Sequence, residues 1–371
     1  MTHFGRRANL GARIRTAGLD AMLVTDLVNV RYLSGFTGSN AALLVFADDR
    51  DPVLATDGRY RTQAAGQAPD LEVAIERACG RHLAGRAAAA GVRRLGFESH
   101  VVTVDGFDAL ADELGSSEAG GTELVRAAGT VEALREIKDA GEVALLRLAC
   151  EAADGALTNL VEHGGLRPGL TEREVSRELE ALILDYGADG VSFETIVAAG
   201  ANSAIPHHRA GEAVLAAGDF VKIDFGALVG GYHSDMTRTF VLGRPSDWQR
   251  EIYQLVAVAQ QAGRDALQPG TALADVDGAA RRVITDAGHG EHFGHGLGHG
   301  VGLQIHEAPG INVTAAGTLL AGSVVTVEPG VYLPDRGGVR IEDTLVVADA
   351  GQAHGTGPEL LTRFPRELAI L

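Results

Sequence analysis

The chain has 371 residues, 46% hydrophobic and 22% charged, which is the length and balance of a soluble globular protein with two domains. Its 32 basic and 49 acidic residues sum to −17, a charge that repels phosphate backbones and anionic headgroups, so no nucleic acid and no membrane partner is expected. Only Lys138 and Lys222 are lysines, and the arginines form no block.

The opening stretch, MTHFGRRANLGARIRTAGLD, sustains no apolar run like that of a signal peptide, and no segment reaches the ~20 apolar residues of a membrane span. Cys79 and Cys150 stand 71 residues apart without metal-ligand spacing, as buried free thiols in a reducing compartment do. A cytoplasmic location is the expectation. From residue 6 to 18 the pattern is a basic amphipathic helix. Short apolar runs follow at Ala21–Thr25, Ala41–Phe46, Val53–Thr56, Leu71–Ile75 and Leu95–Glu98, alternating with helical patterns as in an α/β layered domain. Gly115 to Gly129, with Ser116, Ser117, Gly120 and Gly121, has turn composition and reads as a linker. Domains are expected at 1–127 and 128–371.

The second part opens with a helical pattern from Val131 to about Glu162. Strands and turns follow between Gly187 and Gly243, then a helix from Asp247 to Gln268, then strands through Val347, an α+β order. Two matches suggest a duplication. Leu166-Arg167-Pro168-Gly169 is echoed by Leu267-Gln268-Pro269-Gly270, 101 residues on. Val221–Gly226 (VKIDFG) is echoed 104 residues on by Val325–Gly330 (VTVEPG).

In Asp219–Gly243 the glycines Gly230 and Gly231 centre a hairpin, which sets Asp235 opposite Gly226 and diagonal to Asp224. A loop centred on Asp335 sets Glu328 directly opposite Glu342. The apolar neighbours Ile223, Phe225, Val327, Pro329 and Ile341 imply burial of these acids. Four buried carboxylates must take up protons or be offset by about four positive charges, the number that two divalent cations supply. Five of the 13 histidines fall between 289 and 306: His289, His292, His295, His299 and His306. Glycines at 294, 296, 298, 300 and 302 would each weaken a helix by ~1 kcal/mol, so the run is expected to be extended, with His295 and His299 on one face. One or two of these imidazoles should reach the carboxylates. An oxygen-rich site with one nitrogen suits Mn(II), Fe(II), Co(II) or Zn(II) and points to metal-assisted hydrolysis.

The motifs SAIPHH (203–208), DFGALVGGYHSDMTRTF (224–240), HGLGHGVGLQIHE (295–307), VEPGVY (327–332) and VRIEDT (339–344) resemble those of the aminopeptidase P and prolidase group, the Xaa-Pro peptidases of the methionine-aminopeptidase superfamily. RYLSGFTGSN (31–40) and TDGRY (56–60) resemble that group's amino domain. The resemblance implies a duplicated pita-bread catalytic domain of α+β class, preceded by a smaller α/β domain. It implies two divalent ions, Mn(II) foremost, with Asp224 on one, Asp235 and Glu342 bridging, and His299 and Glu328 on the other. Glu328 would also carry a proton from the attacking water toward the proline nitrogen. His207, His295 and His306 match unligated histidines that hydrogen-bond substrate, and Tyr332 and Arg340 match supporting positions. The implied substrates are Xaa-Pro dipeptides or longer proline-containing peptides, and the implied assembly is a homodimer. The competing expectation is a pita-bread binding protein without catalysis.

Overall fold

The computed structural model describes residues 1–115, 121–348 and 357–371. The chain divides into two compact units, Met1–Arg135 and Glu136–Leu371.

In the first unit, helices α1 (His3–Thr16), α2 (Leu27–Ser34), α3 (Arg61–Gln67), α4 (Cys79–Ala89), α5 (Val104–Gly115) and α6 (Glu132–Arg135) accompany strands β1 (Ala21–Val24), β2 (Ala41–Phe46), β3 (Val53–Thr56), β4 (Glu72–Ile75), β5 (Arg94–Phe97) and β6 (Glu123–Arg126). The strands form one mixed sheet in the order β4-β3-β2-β1-β5-β6. The central strands are buried along their whole length and read as apolar runs, as strands covered on both faces do. Strand β6 lies inside the stretch expected as a linker. Four residues carry no readable period, and the strand is fixed by its parallel pairing to β5. Ser116, Ser117 and Gly120 of that stretch lie outside the described residues. Residues 128–135 stay with the first unit because buried Arg135 donates to Asn29 (2.9 Å) and Tyr32 Oη donates to Leu134 O (3.0 Å).

The second unit begins with a correction to the helix expected from Val131 to Glu162. It is two helices, α6 and α7 (Ala140–Glu162). Between them Ile137 bridges Ser323 and the Lys138 amide donates to Gly322 O, so tertiary pairing pulls the chain straight. Asp139 then restarts the helix with a capping box closed by Glu142. Helix α8 (Glu172–Asp185) follows, then β7 (Gly190–Val191), β8 (Ile196–Ala199), β9 (Phe220–Phe225), β10 (Ala227–Val229), β11 (Tyr232–His233) and β12 (Met236–Val241). Helices α9 (Asp247–Asp265) and α10 (Leu273–Asp286) precede β13 (Gly298–Gly300), β14 (Glu307–Ile311), β15 (Val324–Val327), β16 (Gly330–Leu333), β17 (Gly337–Arg340) and β18 (Asp343–Val346). Helix α10 stands where strands are expected. Its buried Leu273, Val276, Ala280 and Ile284 keep helical spacing, and packing on α9 decides the outcome over the glycine at 278.

The duplication is written in backbone hydrogen bonds. Gly169 donates to Leu215 O in the first half and Gly270 to Leu319 O in the second, at the 101 and 104 residue offsets of the sequence. Thr171 bridges Val214 as Ala272 bridges Thr318. Each half is thus a helix pair over an antiparallel sheet, β12-β9-β8 or β14-β13-β15-β18 with the short strand Glu359–Leu360 paired to β18 at its edge, with an apolar core between the layers. Among the described residues no helix is long and apolar enough to cross a membrane.

Candidate metal centre

Two turns set the register that brings the acids together. Gly230 and Gly231 adopt φ of 58° and 84°, which only glycine takes readily, and close the hairpin in which Val229 faces Tyr232. That register pairs Phe225 with Met236, leaving Gly226 opposite Asp235 and Asp224 diagonal to it. In the second half Asp335 takes a φ of 58° at the tip of the β16–β17 hairpin. Gly330 then faces Arg340, Val327 faces Asp343, and Glu328 falls opposite Glu342.

One ligand atom each from Asp235, His299 and Glu342 lie within 4.8 Å of one another. His299 Nε2 is 3.5 Å from Asp235 Oδ2 and 3.5 Å from Glu328 Oε1. His299 Nδ1 sits 3.0 Å from Gly300 O, so Nδ1 carries the proton and Nε2 turns its lone pair on the acids. Burial holds the His299 pKa at about 4. A lone pair facing carboxylates repels them unless a cation lies between.

Asp224 points its Oδ2 at Arg340, while its buried Oδ1 has no hydrogen-bond partner among the described residues. Burial, then repulsion from Glu342, pushes the Asp235 carboxyl well above the usual range. Burial and Glu328 do the same to Glu342, and burial lifts Glu328 to about 8. An orphaned carboxylate oxygen, an imidazole lone pair and three buried acids pressed by like charge fit divalent cations in chemistry.

Hydrogen bonds around the acids fix their directions. Thr237 Oγ1 donates to Glu342 (2.7 Å) and accepts from Arg340 Nε (2.9 Å). Arg340 also donates to Tyr332 Oη (2.9 Å). His295 is committed inside the protein, Nδ1 at 2.8 Å from Gly296 O and Nε2 at 2.9 Å from Tyr332 Oη. Tyr332 therefore donates to His295 while accepting from Arg340, and burial keeps the His295 pKa at about 4.

His207 and His306 are exposed and line the same two cavities, one of about 720 Å³ and one of about 380 Å³, with Glu328 and Arg340 at their common wall. The His306 ring packs edge-on against His299 at 4.4 Å. His208, next to His207, lines the smaller cavity and has its Nε2 engaged by Glu172 (2.8 Å). His289 and His292 face each other at 3.2 Å around a short 3-10 turn, and only Gly298–Gly300 of the glycine run is strand.

Sequence reasoning passes over three residues here. Buried Glu172 accepts from Ala199 N (2.9 Å), Asn202 Nδ2 (2.9 Å) and Gly211 N (3.0 Å) and so shapes the segment that carries His207. Thr237 and Lys222 are the others. No local pattern marks Glu172, whereas Thr237 and Lys222 alternate with Asp235 and Asp224 along strands.

Residues 144–349 match the model of metallopeptidase family M24, and residues 6–137 match the creatinase/prolidase N-terminal domain. The chain belongs to the M24 metallopeptidases. An uncharacterized peptidase of Bacillus subtilis is 40% identical over 95% of this chain and 96% of its own. The solved Xaa-Pro dipeptidase from Bacillus anthracis is 38% identical with a TM-score of 0.92, covering 100% of both chains. The X-Pro aminopeptidase from Thermotoga maritima is 33% identical with a TM-score of 0.86, over 97% and 99%. This M24 peptidase thus falls in the Xaa-Pro peptidase group, with the pita-bread catalytic fold and the divalent-metal chemistry of its family.

Proposed function

We propose that this metallopeptidase hydrolyses the bond between an N-terminal residue and proline, with Xaa-Pro dipeptides as its main substrates, and that it holds two divalent ions. Asp224, Asp235, His299, Glu328 and Glu342 would hold them, with Asp235 and Glu342 shared. The observation that carries this reading is the convergence of His299 Nε2 with Asp235, Glu328 and Glu342 on one cavity, which Asp224, with a buried, unpartnered carboxylate oxygen, also lines. Mn(II) is the proposed ion, with Co(II), Zn(II) and Fe(II) suited to the same donors.

Such a pair of ions supplies an acidified water and a polarised scissile carbonyl. Glu328 takes the water's proton on a carboxylate oxygen and delivers it to the proline nitrogen. His207 and His306 donate N–H to the substrate carbonyl or carboxylate as charge develops. Arg340, steered by Tyr332 and His295, holds Asp224 in place. A proline nitrogen in a peptide bond has no N–H to donate and carries a fixed ring, so a cavity shaped to the ring rejects open-chain residues.

The dipeptidase reading is supported by the greater likeness to the Xaa-Pro dipeptidase than to the X-Pro aminopeptidase. A homodimer in the cytoplasm completes the proposal. The test compares release from Ala-Pro, Ala-Pro-Ala and Ala-Ala by metal-stripped protein after addition of Mn(II). Proline release from Ala-Pro, faster than cleavage of the other two, is expected. Equal rates on Ala-Pro and Ala-Ala refute proline specificity, and preference for the tripeptide moves the chain to the aminopeptidases. Size-exclusion chromatography reads the assembly.

A further inference from the structure

Among 32 basic residues only Lys138 and Lys222 are lysine, and they are 6% and 0% exposed. Both are buried in an arginine-rich chain, and a compact ammonium and a planar guanidinium do not do the same work in a buried place. Lys222, on β9, sends its ammonium to Ile205 O (2.6 Å) and Pro206 O (3.3 Å), beneath the Tyr332 ring at 5.0 Å. Those carbonyls belong to the two residues before His207. Lys138, before α7, pairs with Glu307 at 2.7 Å, both side chains all but excluded from water. Glu307 directly follows His306, and it also accepts from Gln304 N (3.3 Å) across the turn.

Lys222 therefore fastens the backbone before His207, and Lys138 fastens the side chain of Glu307, which in turn holds the turn around His306 through Gln304 N. Neither His207 nor His306 lies in a helix or strand, so nothing regular holds them. An ammonium is compact and satisfies two or three acceptors, whereas a guanidinium brings five N–H groups that must all find partners in one plane. At the position of Lys222 the second half of the duplication has Thr326, whose hydroxyl accepts from His299 N (3.0 Å).

We propose that Lys222 and Lys138 are positioning residues for the reaction, holding the His207 and His306 segments so that the imidazoles face the acid cluster. This rests on the Xaa-Pro peptidase reading above. A loop displacement near 1 Å costs on the order of 10²-fold in rate.

The test is a pair of double-mutant cycles on Ala-Pro with Mn(II), Lys222→Met with His207→Ala and Lys138→Met with His306→Ala. Each lysine variant is expected to lower kcat by about 10- to 100-fold with KM within about threefold. Mn(II) affinity by calorimetry stays unchanged, and the lysine effect shrinks below about twofold once its histidine is gone. Hydrogen exchange of metal-free protein should quicken at 203–211 in Lys222→Met and at 302–307 in Lys138→Met. Lys222→Gln, which keeps N–H donors, should recover most of the rate, while Lys222→Arg should not.

Where Lys222→Met does not fold, the glutamine and arginine variants carry that cycle. Lys138→Met/Glu307→Gln removes the acid that the single change strands. Losses that multiply independently in both cycles, or full activity in Lys222→Arg with unchanged exchange, overturn the proposal. A wild-type enzyme inactive on Ala-Pro refutes the functional reading instead, and the exchange data still test the anchors.

Discussion

Residues 140–243 and 247–347 repeat one frame, and at equivalent points of that frame they carry unlike groups. Where the first half has Ala198 on β8, the second has His299 on β13, since Ala199 faces Val221 as Gly300 faces Val325. Asp224 corresponds to Glu328, Asp235 to Arg340, and Thr237 to Glu342. A symmetric pair of acid clusters would repel across the centre. The asymmetry avoids this, because Arg340 reaches back to Asp224 and Thr237 donates to Glu342. Duplication supplies the scaffold, and divergence of four side-chain pairs supplies one centre instead of two.

The strongest way to break this arrangement is to delete an acid that only one half owns. Asp235→Ala or Glu342→Ala should lower kcat/KM by ~10³-fold or more and reduce bound metal together, because each would face both ions. Without metal the same variants should melt higher than the parent, since each loses a buried carboxyl pressed by like charge. Metal analysis showing two ions at full occupancy in either variant would sink the shared-ligand assignment.

The two halves also contribute one exposed imidazole each, His207 and His306. His306→Ala should keep its metal and lose ~10²-fold in kcat, the loss expected for a donor to developing charge. An unchanged kcat would leave His306 as a packing partner of His299.

Much of this frame is legible in the sequence because turns fix register. A Gly-Gly pair at 230–231 and a turn centred on Asp335 suffice to set Gly226 against Asp235 and Glu328 against Glu342, and the strands pair in that register. The repeated Pro-Gly steps announce the duplication. What stays illegible depends on distant partners. Strand β6 exists through pairing with β5, the break before α7 through Ser323 and Gly322, and the commitment of His295 to Tyr332 through a contact 37 residues away. Burial of Lys222 cannot be read from a strand pattern that shows lysine as a polar residue.

Charge gives a subtler test of the same asymmetry. A carboxyl whose pKa rises on folding stabilises the native state fully below its ordinary value and no longer does so above its folded value. For Glu328 those values are 4.5 and about 8. His295 and His299, lowered from 6.5 to about 4, work in the opposite direction between those limits. Above pH 6.5 the histidines no longer contribute and the acid cluster lowers the midpoint of metal-free protein as pH rises to 8, while burial of Lys222, which disfavours its ammonium, acts the other way. The fall should therefore be clearest in the Lys222→Met background. With saturating Mn(II) the midpoint should rise over the same interval, because metal competes with protons for the same donors. Parallel curves with and without Mn(II), read by scanning calorimetry, would show that the acids do not bind the ion.

The smallest expected effect concerns the scaffold, away from the centre. Helix α8 starts with a capping box, Thr171 accepting from Glu174 N while Glu174 reaches back to Thr171 N. Its counterpart α10 starts at Ala272, which has the extended backbone of an N-cap, φ −61° and ψ 136°, but no side chain to accept an N–H. Thr171→Ala should therefore cost about 1 kcal/mol, and Ala272→Ser should add somewhat less, because the frame there is already shaped for a cap. For a unit of this size each corresponds to a shift of about 2–4 °C, downward for the first and upward for the second. Neither position touches the acid cluster, so kcat should stay put in both. A drop in kcat for Thr171→Ala would mean that α8, through Glu172 and its hold on the segment that carries His207, transmits its looseness to the site.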